Sequence, residues 1–192
     1  MRRILITGGS GFIASWLTGT LAKISGVEIY LLHRQKLQKT PQIKGCHNIY
    51  CDIRDAKSLL NVLGLIEFNY VIHLAAQSRN QVSEDSRIET FETNIQGTWN
   101  LLKACEGKSL KGFILFSSSL VYANNNTSLI KESSGLYSNN TYGISKICSE
   151  NIAQYYSDTC KMPLIIVRVG MVFGGRDRNI TRLVPYIINA LL

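Results

Sequence analysis

Short apolar runs alternate along this chain with longer stretches in which apolar positions recur every three or four residues. The short runs are Arg3–Thr7, Glu28–His33, Asn48–Cys51, Tyr70–Leu74, Gly112–Ser117 and Leu164–Val169. They are rich in Ile, Val, Leu and Tyr and carry few charges, which predicts parallel strands covered on both faces. The longer stretches predict helices at Phe12–Ser25, Ala56–Leu65, Ile88–Cys105, Tyr142–Thr159 and Ile180–Leu192. Leu59, Leu60 and Leu63 show the spacing of a buried helical face. Strands alternating with helices imply βαβ units with right-handed crossovers, hence an α/β fold built on a doubly wound parallel sheet. No internal repeat is present. One segment, Asn124–Asn140, breaks the rhythm: it is rich in Asn, Ser and Thr, with only Leu129, Ile130, Leu136 and Tyr137 to anchor it. A loop of that length is usually functional, and its place before Tyr142 suggests the substrate side.

Composition narrows the function classes. The 192 residues suit one domain, and 45% hydrophobic residues with 18% charged are too apolar for a disordered chain. No stretch reaches about 18 uncharged apolar residues, so no membrane span is expected. Met1-Arg2-Arg3 leads into an apolar run that ends at Thr7-Gly8-Gly9, too short for a secretory signal. The net charge of +8 is diffuse, without a basic tail, block or helical stripe. That argues against a nucleic-acid surface and fits attraction of an anionic small molecule. Cys46, Cys51, Cys105, Cys148 and Cys160 form an odd set without CxxC spacing, as expected of free thiols in a reducing cytoplasm. The three histidines have no metal-ligand spacing, so no metal site is expected.

The first strand runs into Thr7-Gly8-Gly9-Ser10-Gly11-Phe12-Ile13-Ala14 and then a helix. Gly8 permits the tight turn, Gly11 lets the backbone approach a pyrophosphate, and Ala14 keeps the helix near the sheet. The helix N-terminus offers unpaired N–H groups to the anion. The second strand ends Leu31-Leu32-His33-Arg34-Gln35-Lys36 with no carboxylate for a ribose hydroxyl. Arg34 is therefore the candidate clamp for the 2′-phosphate of NADP, with NAD as the alternative. Asp52 after the third strand can accept from the adenine amine, while Asp55 is placed to cap the next helix. Ala75-Ala76 after the fourth strand would let the backbone near the nicotinamide ribose, with His73 read as structural and Asn94 as a backbone bridge.

Chemistry is carried by Ser117-Ser118-Ser119-Leu120-Val121-Tyr122 after the fifth strand and by Tyr142-Gly143-Ile144-Ser145-Lys146 opening a helix. A lone Tyr-x-x-x-Lys means little, since about 0.5 such pairs arise by chance in this composition. Position gives it weight, because the spacing sets both side chains on one helix face at the carboxyl side of the sheet. The Lys146 ammonium and an oxidised nicotinamide are both expected to lower the Tyr142 pKa, so that Tyr142 exchanges a proton with a carbinol or carbonyl oxygen held by Ser118.

Taken together, Gly8–Ala14, Asp52–Ile53, Leu74–Gln77, Asn94, Ser117–Tyr122, Tyr142–Lys146 and Arg168–Gly174 resemble, in order, the extended nucleotide-sugar-modifying branch of the short-chain dehydrogenase/reductase superfamily. The resemblance implies a Rossmann fold and a Ser118–Tyr142–Lys146 catalytic group, with Lys146 also orienting the cofactor ribose. It implies cofactor contacts from Gly8, Gly11, Phe12, Ile13, Arg34, Asp52, Ile53, Leu74, Ala75, Ala76, Asn94, Tyr142 and Lys146. Gln77 and Ser119 would face a nucleotide-sugar substrate held partly by a C-terminal region. Ala75-Ala76-Gln77-Ser78 and Arg34 look most like members acting on GDP- or CDP-linked hexoses.

Two positions depart from the pattern. The family's 4,6-dehydratases carry an acidic residue where this chain has Leu120, which cannot transfer a proton and argues against water elimination. Met171 stands where many members have an Asn that contacts substrate. The resulting expectation is an NADP-linked epimerase or 4-keto reductase, with a homodimer through helices such as Ile88–Cys105 and Tyr142–Thr159 expected by analogy with the family. A cofactor-binding module without turnover is the alternative of a different class. Residues 1–178 are expected to form the cofactor domain, and 179–192 the start of a truncated substrate region, since the apolar stretch Leu183–Leu192 lacks a stop signal.

Overall fold

The computed structural model describes residues 1–36, 43–78, 86–122, 129–177 and 179–191. Six parallel strands form one sheet in the order β3-β2-β1-β4-β5-β6. They are β1 (Arg2–Thr7), β2 (Val27–His33), β3 (Cys46–Tyr50), β4 (Tyr70–His73), β5 (Gly112–Ser118) and β6 (Leu164–Val169). The helices are α1 (Phe12–Leu21), α2 (Ala56–Gly64), α3 (Arg87–Phe91), α4 (Gly97–Cys105), α5 (Thr141–Cys160) and α6 (Leu183–Leu191). This is the doubly wound Rossmann order, with the chain reversing its direction across the sheet between β1 and β4.

Both faces of the sheet are buried, which is why its strands read as nearly continuous apolar runs. Ile4, Ile6, Ile29, Leu31 and Ile72 pack beneath α1 around Ala14. On the other face Leu5, Leu32, Val71, Phe113 and Leu115 meet Leu59 and Leu63 of α2, Leu101 and Leu102 of α4, and Ala153 of α5. All five cysteines are unpaired. No helix among the described residues is long and apolar enough to cross a membrane.

Several boundaries differ from the sequence-based expectation. β3 starts at Cys46 and stops at Tyr50 because it pairs in register with Ile29–His33, so Cys51 lies past the ladder. α1 ends at Leu21, where shorter turns take over (Lys23 N–H to Thr20 O, 3.3 Å; Ile24 N–H to Leu21 O, 3.0 Å) before Gly26 at φ +74°. The helix expected at Ile88–Cys105 is broken by a π-helical turn at Glu92–Gln96, between α3 and α4. Asp55 caps α2 as expected, accepting from Ser58 N–H at 3.0 Å. The last helix is α6, preceded by a turn in which Arg182 N–H donates to Asn179 O at 3.0 Å. None of its residues is buried, and Leu183, Tyr186, Ile187, Ile188 and Leu191 are exposed. The expected boundary residue, 178, and residue 192 lie outside the described residues, as do 123–128 of the polar loop. The rest of that loop is tied down by a Tyr122–Leu136 bridge and by Tyr137 N–H donating to Val121 O at 2.9 Å. Of its four apolar residues, Leu129, Ile130 and Tyr137 are exposed.

Candidate active site

The site forms where β1, β4 and β5 end. Gly8 sits at φ +69°, and a Cβ there would lie 3.0 Å from the backbone of Ala75. Gly11 N–H closes the turn on Gly8 O at 2.8 Å, and a Cβ at Gly11 would lie 3.0 Å from that same oxygen. No side chain caps α1 at Gly11. The first N–H groups of the helix, with the positive end of its dipole, therefore face the mouth of the turn. A phosphate group fits this cradle, in which an added Cβ would crowd backbone.

Thr7 joins the two central strands. Its Oγ1 accepts from Leu74 N–H (3.2 Å) and Ala75 N–H (3.1 Å), so its own proton points to His73 Nδ1 at 2.7 Å. His73 Nε2–H then donates to Thr98 Oγ1 at 3.0 Å, and Thr98 to Asn94 O at 2.5 Å. Burial, with a smaller contribution from the Lys146 charge, pushes the His73 pKa down to about 3. His73 is thus a neutral strut and not an acid or base, as the sequence suggested.

A cleft of about 530 Å³ lies across these strand ends, lined by Gly8, Ser10, Arg34, Asp52, Ile53, Ala75, Ala76, Gln77, Ser78 and Glu89 among others. Of the thirteen residues expected to hold a dinucleotide it brings together six, Gly8, Arg34, Asp52, Ile53, Ala75 and Ala76. Asp52 is bound by Arg54 through Nη2 (2.7 Å) and Nε (3.1 Å). That hydrogen bonding, helped by the fields of Arg54 and Arg34, holds its carboxyl below the usual range. Ile53 is buried against Gly97, where an added Cβ would lie 2.5 Å from Ile53 Cδ1. Leu74 stands behind Gly8, and the Phe12 ring faces Gly174. Asn94 departs from its expected role as a cofactor contact. It is buried, and its amide is spent on Gln77 N–H (2.8 Å), Gln77 O (3.1 Å) and Ser145 Oγ (2.9 Å). It reaches the cleft only through Gln77.

Ser118, the last residue of β5, accepts from Leu120 N–H at 3.2 Å and hydrogen-bonds the Tyr142 phenol. Ser119 and Leu120 are exposed on the 3₁₀ turn that follows (Ser119–Val121). Asn140 caps α5 by accepting from Gly143 N–H at 2.8 Å, fixing the first turn that carries Tyr142. One turn on, buried Lys146 donates to Phe116 O at 2.8 Å, with its Nζ 5.9 Å from the Tyr142 ring centroid. Burial pulls its pKa down to about 8 against the opposing charge of Glu150.

The expected depression of the Tyr142 pKa by Lys146 is not what the chain's own groups produce. Burial raises it above 10, opposed by the Ser118 hydrogen bond and by the charge of Arg182. The dominant cause is burial of the phenol, and the Lys146 ammonium is hydrogen-bonded to the Phe116 carbonyl. Sequence reasoning missed Arg182, whose guanidinium is held 3.0 Å from the Asp177 carboxylate, a side chain only 2% exposed, and nothing in the local sequence marks it. It also missed Glu150, which binds Arg168 at 2.8 Å while Arg168 donates to Tyr122 Oη (3.0 Å) and Glu132 O (2.9 Å). This pair ties α5 and β6 to the loop that precedes Tyr142.

A family model described as "NAD dependent epimerase/dehydratase family" matches residues 4–192. A dTDP-D-glucose 4,6-dehydratase of Dictyostelium discoideum is 32% identical, the alignment taking in all of this chain and 48% of that protein. Among solved structures, a double mutant of dTDP-glucose 4,6-dehydratase from Streptomyces venezuelae with NAD bound superposes with a TM-score of 0.86 at 27% identity, over 100% of this chain and 62% of that one. UDP-glucuronic acid 4-epimerase from Bacillus cereus, solved with UDP-glucuronic acid and NAD, gives 0.84 at 27% identity over 97% and 63%. The chain spans about half the length of the curated relatives it matches.

Proposed function

We propose that this chain, which belongs to the NAD dependent epimerase/dehydratase family, carries the cofactor and proton-transfer machinery of a nucleotide-sugar epimerase or 4-keto reductase. The observation that carries this reading is the Ser118–Tyr142–Lys146 group, gathered from the end of β5 and the first turns of α5 at the same carboxyl edge of the sheet as the glycine turn after β1. A nicotinamide dinucleotide bound across the cleft would supply hydride transfer to or from a sugar carbon. Tyr142 moves the proton at the sugar oxygen, and Ser118 holds that oxygen within reach of the phenol. Lys146 orients the ribose and adds positive charge behind the phenol, and the charge of Arg182 favours the phenolate. Arg34, with no carboxylate at the end of β2, favours NADP, with NAD the alternative. Gln77 and Ser119 face the substrate.

Dehydratases are as prominent among the relatives as epimerases, so elimination of water is the second reading. Leu120 speaks against it, because no carboxyl stands at that exposed turn to move a proton. Residues 1–178 are assigned to the cofactor domain and 179–192 to the start of a substrate-binding region, supported by the exposed apolar side chains of α6. A cytoplasmic homodimer through α3, α4 and α5 fits the exposed Ile88, Trp99 and Tyr155 and is checked by light scattering.

The deciding experiment incubates the protein with NAD(H) or NADP(H) and a panel of nucleotide sugars, followed by mass spectrometry and chromatography. Epimer or alcohol products that vanish in Tyr142→Phe are expected. A product lighter by one water would favour the dehydratase, undiminished turnover in Tyr142→Phe would remove the proton-transfer role, and dinucleotide binding without turnover would leave a binding module.

A further inference from the structure

The end of β2 lacks a carboxylate, but the fold supplies one from α3. Glu89 lines the same cleft as Arg34, with its Oε1 3.3 Å from Arg34 Nη1. The neighbouring guanidinium, Arg54, is already committed to Asp52 at 2.7 Å and also faces Glu92 at 3.6 Å and Glu89 at 3.9 Å. Arg54 is therefore rich in anionic partners, whereas the ion pair of Arg34 is with Glu89. Residues 34 and 89 meet only because β2 and α3 converge at the carboxyl end of the sheet.

We infer that Glu89 is a specificity-determining residue for the adenosine end of the dinucleotide, setting how far Arg34 is available to a 2′-phosphate. The inference rests on the proposed binding of a dinucleotide in this cleft. A phosphate on the ribose would pair with the Arg34 guanidinium, but it must first displace the Glu89 carboxylate and then sit beside its negative charge. An unmodified ribose makes no such demand, and its hydroxyl can donate to a carboxylate. The Arg34–Glu89 pair is half-exposed, so it is weak enough to be exchanged by a ligand and does not lock the site. Glu89 thus supplies, from a distant part of the chain, part of the discrimination that a carboxylate on β2 would supply locally.

The test measures NADH and NADPH affinity by fluorescence titration for the protein, Glu89→Gln, Arg34→Gln and the double variant. Glu89→Gln keeps the shape and removes the charge. It should raise the NADPH-to-NADH affinity ratio by about fivefold, the equivalent of an exposed ion pair near 1 kcal/mol. Arg34→Gln should lower the ratio, and in that background Glu89→Gln should raise it by less than it does in the unaltered protein, because part of the effect of Glu89 runs through Arg34. A ratio unchanged in Glu89→Gln, with both dinucleotides still bound, overturns the assignment of Glu89 and leaves the dinucleotide site standing. Failure of the unaltered protein to bind either dinucleotide overturns both.

Discussion

Replacing Gly143 by Ala isolates the contact that seats Tyr142 against Ser118. Gly143 lies in the first turn of α5, and its backbone does not need positive φ. By helix propensity alone, Ala would stabilise this position by about 1 kcal/mol. The surroundings oppose it. A Cβ at Gly143 would overlap Ser138 Oγ and lie 2.7 Å from both Ser138 Cβ and Leu120 O. Ser138 Oγ can rotate, since its hydrogen bond from Asn140 N–H is a long 3.4 Å. The Leu120 carbonyl cannot, because it belongs to the turn whose first N–H groups are organised by Ser118. Restoring an ordinary contact requires α5 and that turn to part by roughly 0.7 Å, and overpacking of this kind costs about 1–3 kcal/mol. Set against the helix gain, the net loss of stability is about 1 kcal/mol. The same parting lengthens the Ser118–Tyr142 hydrogen bond, and misplacement on that scale lowers turnover about a hundredfold. Urea unfolding followed by Trp16 and Trp99 fluorescence reads the first effect, and turnover on nucleotide sugars the second. The phenol of Tyr142 should also titrate higher in the variant, since Ser118 is one of the groups holding it down. Unfolding, titration and turnover all unchanged in Gly143→Ala would show that the Leu120–Gly143 approach does not set the site.

Lys146 is buried with a pKa near 8, below its ordinary 10.5, so between those values the folded protein binds fewer protons than the unfolded chain. Stability must therefore rise with pH across that window, and the full charging penalty is present below pH 8. Relative to Lys146→Met, the protein should gain up to about 3 kcal/mol over this range in pH-dependent urea unfolding. A parallel pair of curves would show that Lys146 is not buried as a charge. Glu150 and Arg168 form the second case, with side-chain exposures of 3% and 20%. Glu150→Ala strands the guanidinium and should cost about 3–5 kcal/mol, and adding Arg168→Met should recover part of the loss. Strict additivity of the two changes would count against a coupled pair.

Much of the architecture was legible in the residues themselves. Runs such as Ile4-Leu5-Ile6 bury alternate side chains on opposite faces, so two-sided burial and a parallel sheet follow from their near-continuous apolarity. Gly8, Gly11, the Asp55 cap and the Tyr142–Lys146 spacing are local signals, each requiring only a few neighbouring residues, and each is found in the structure at its expected element. The π-helical turn at Glu92–Gln96 was not legible, because helical periodicity runs through it. It is the tertiary hydrogen bonds of Asn94 to Gln77 and Ser145, and of Ser149 to Asn94 O, that surround the widened turn.

The amino-acid order by itself determined the elements, their alternation and the kinds of side chain available for chemistry, since these depend on local sterics and on the burial pattern. Only the tertiary structure decided which charges meet. Arg34 pairs with Glu89, Arg168 with Glu150, and Arg182 reaches the field of Tyr142. It also decided the sign of the Tyr142 shift, because burial of the phenol outweighs the Ser118 hydrogen bond and the Arg182 charge that oppose it. The Lys146 ammonium binds the Phe116 carbonyl, and a four-residue spacing on a helix carries no information about that choice or about how deeply the phenol is buried.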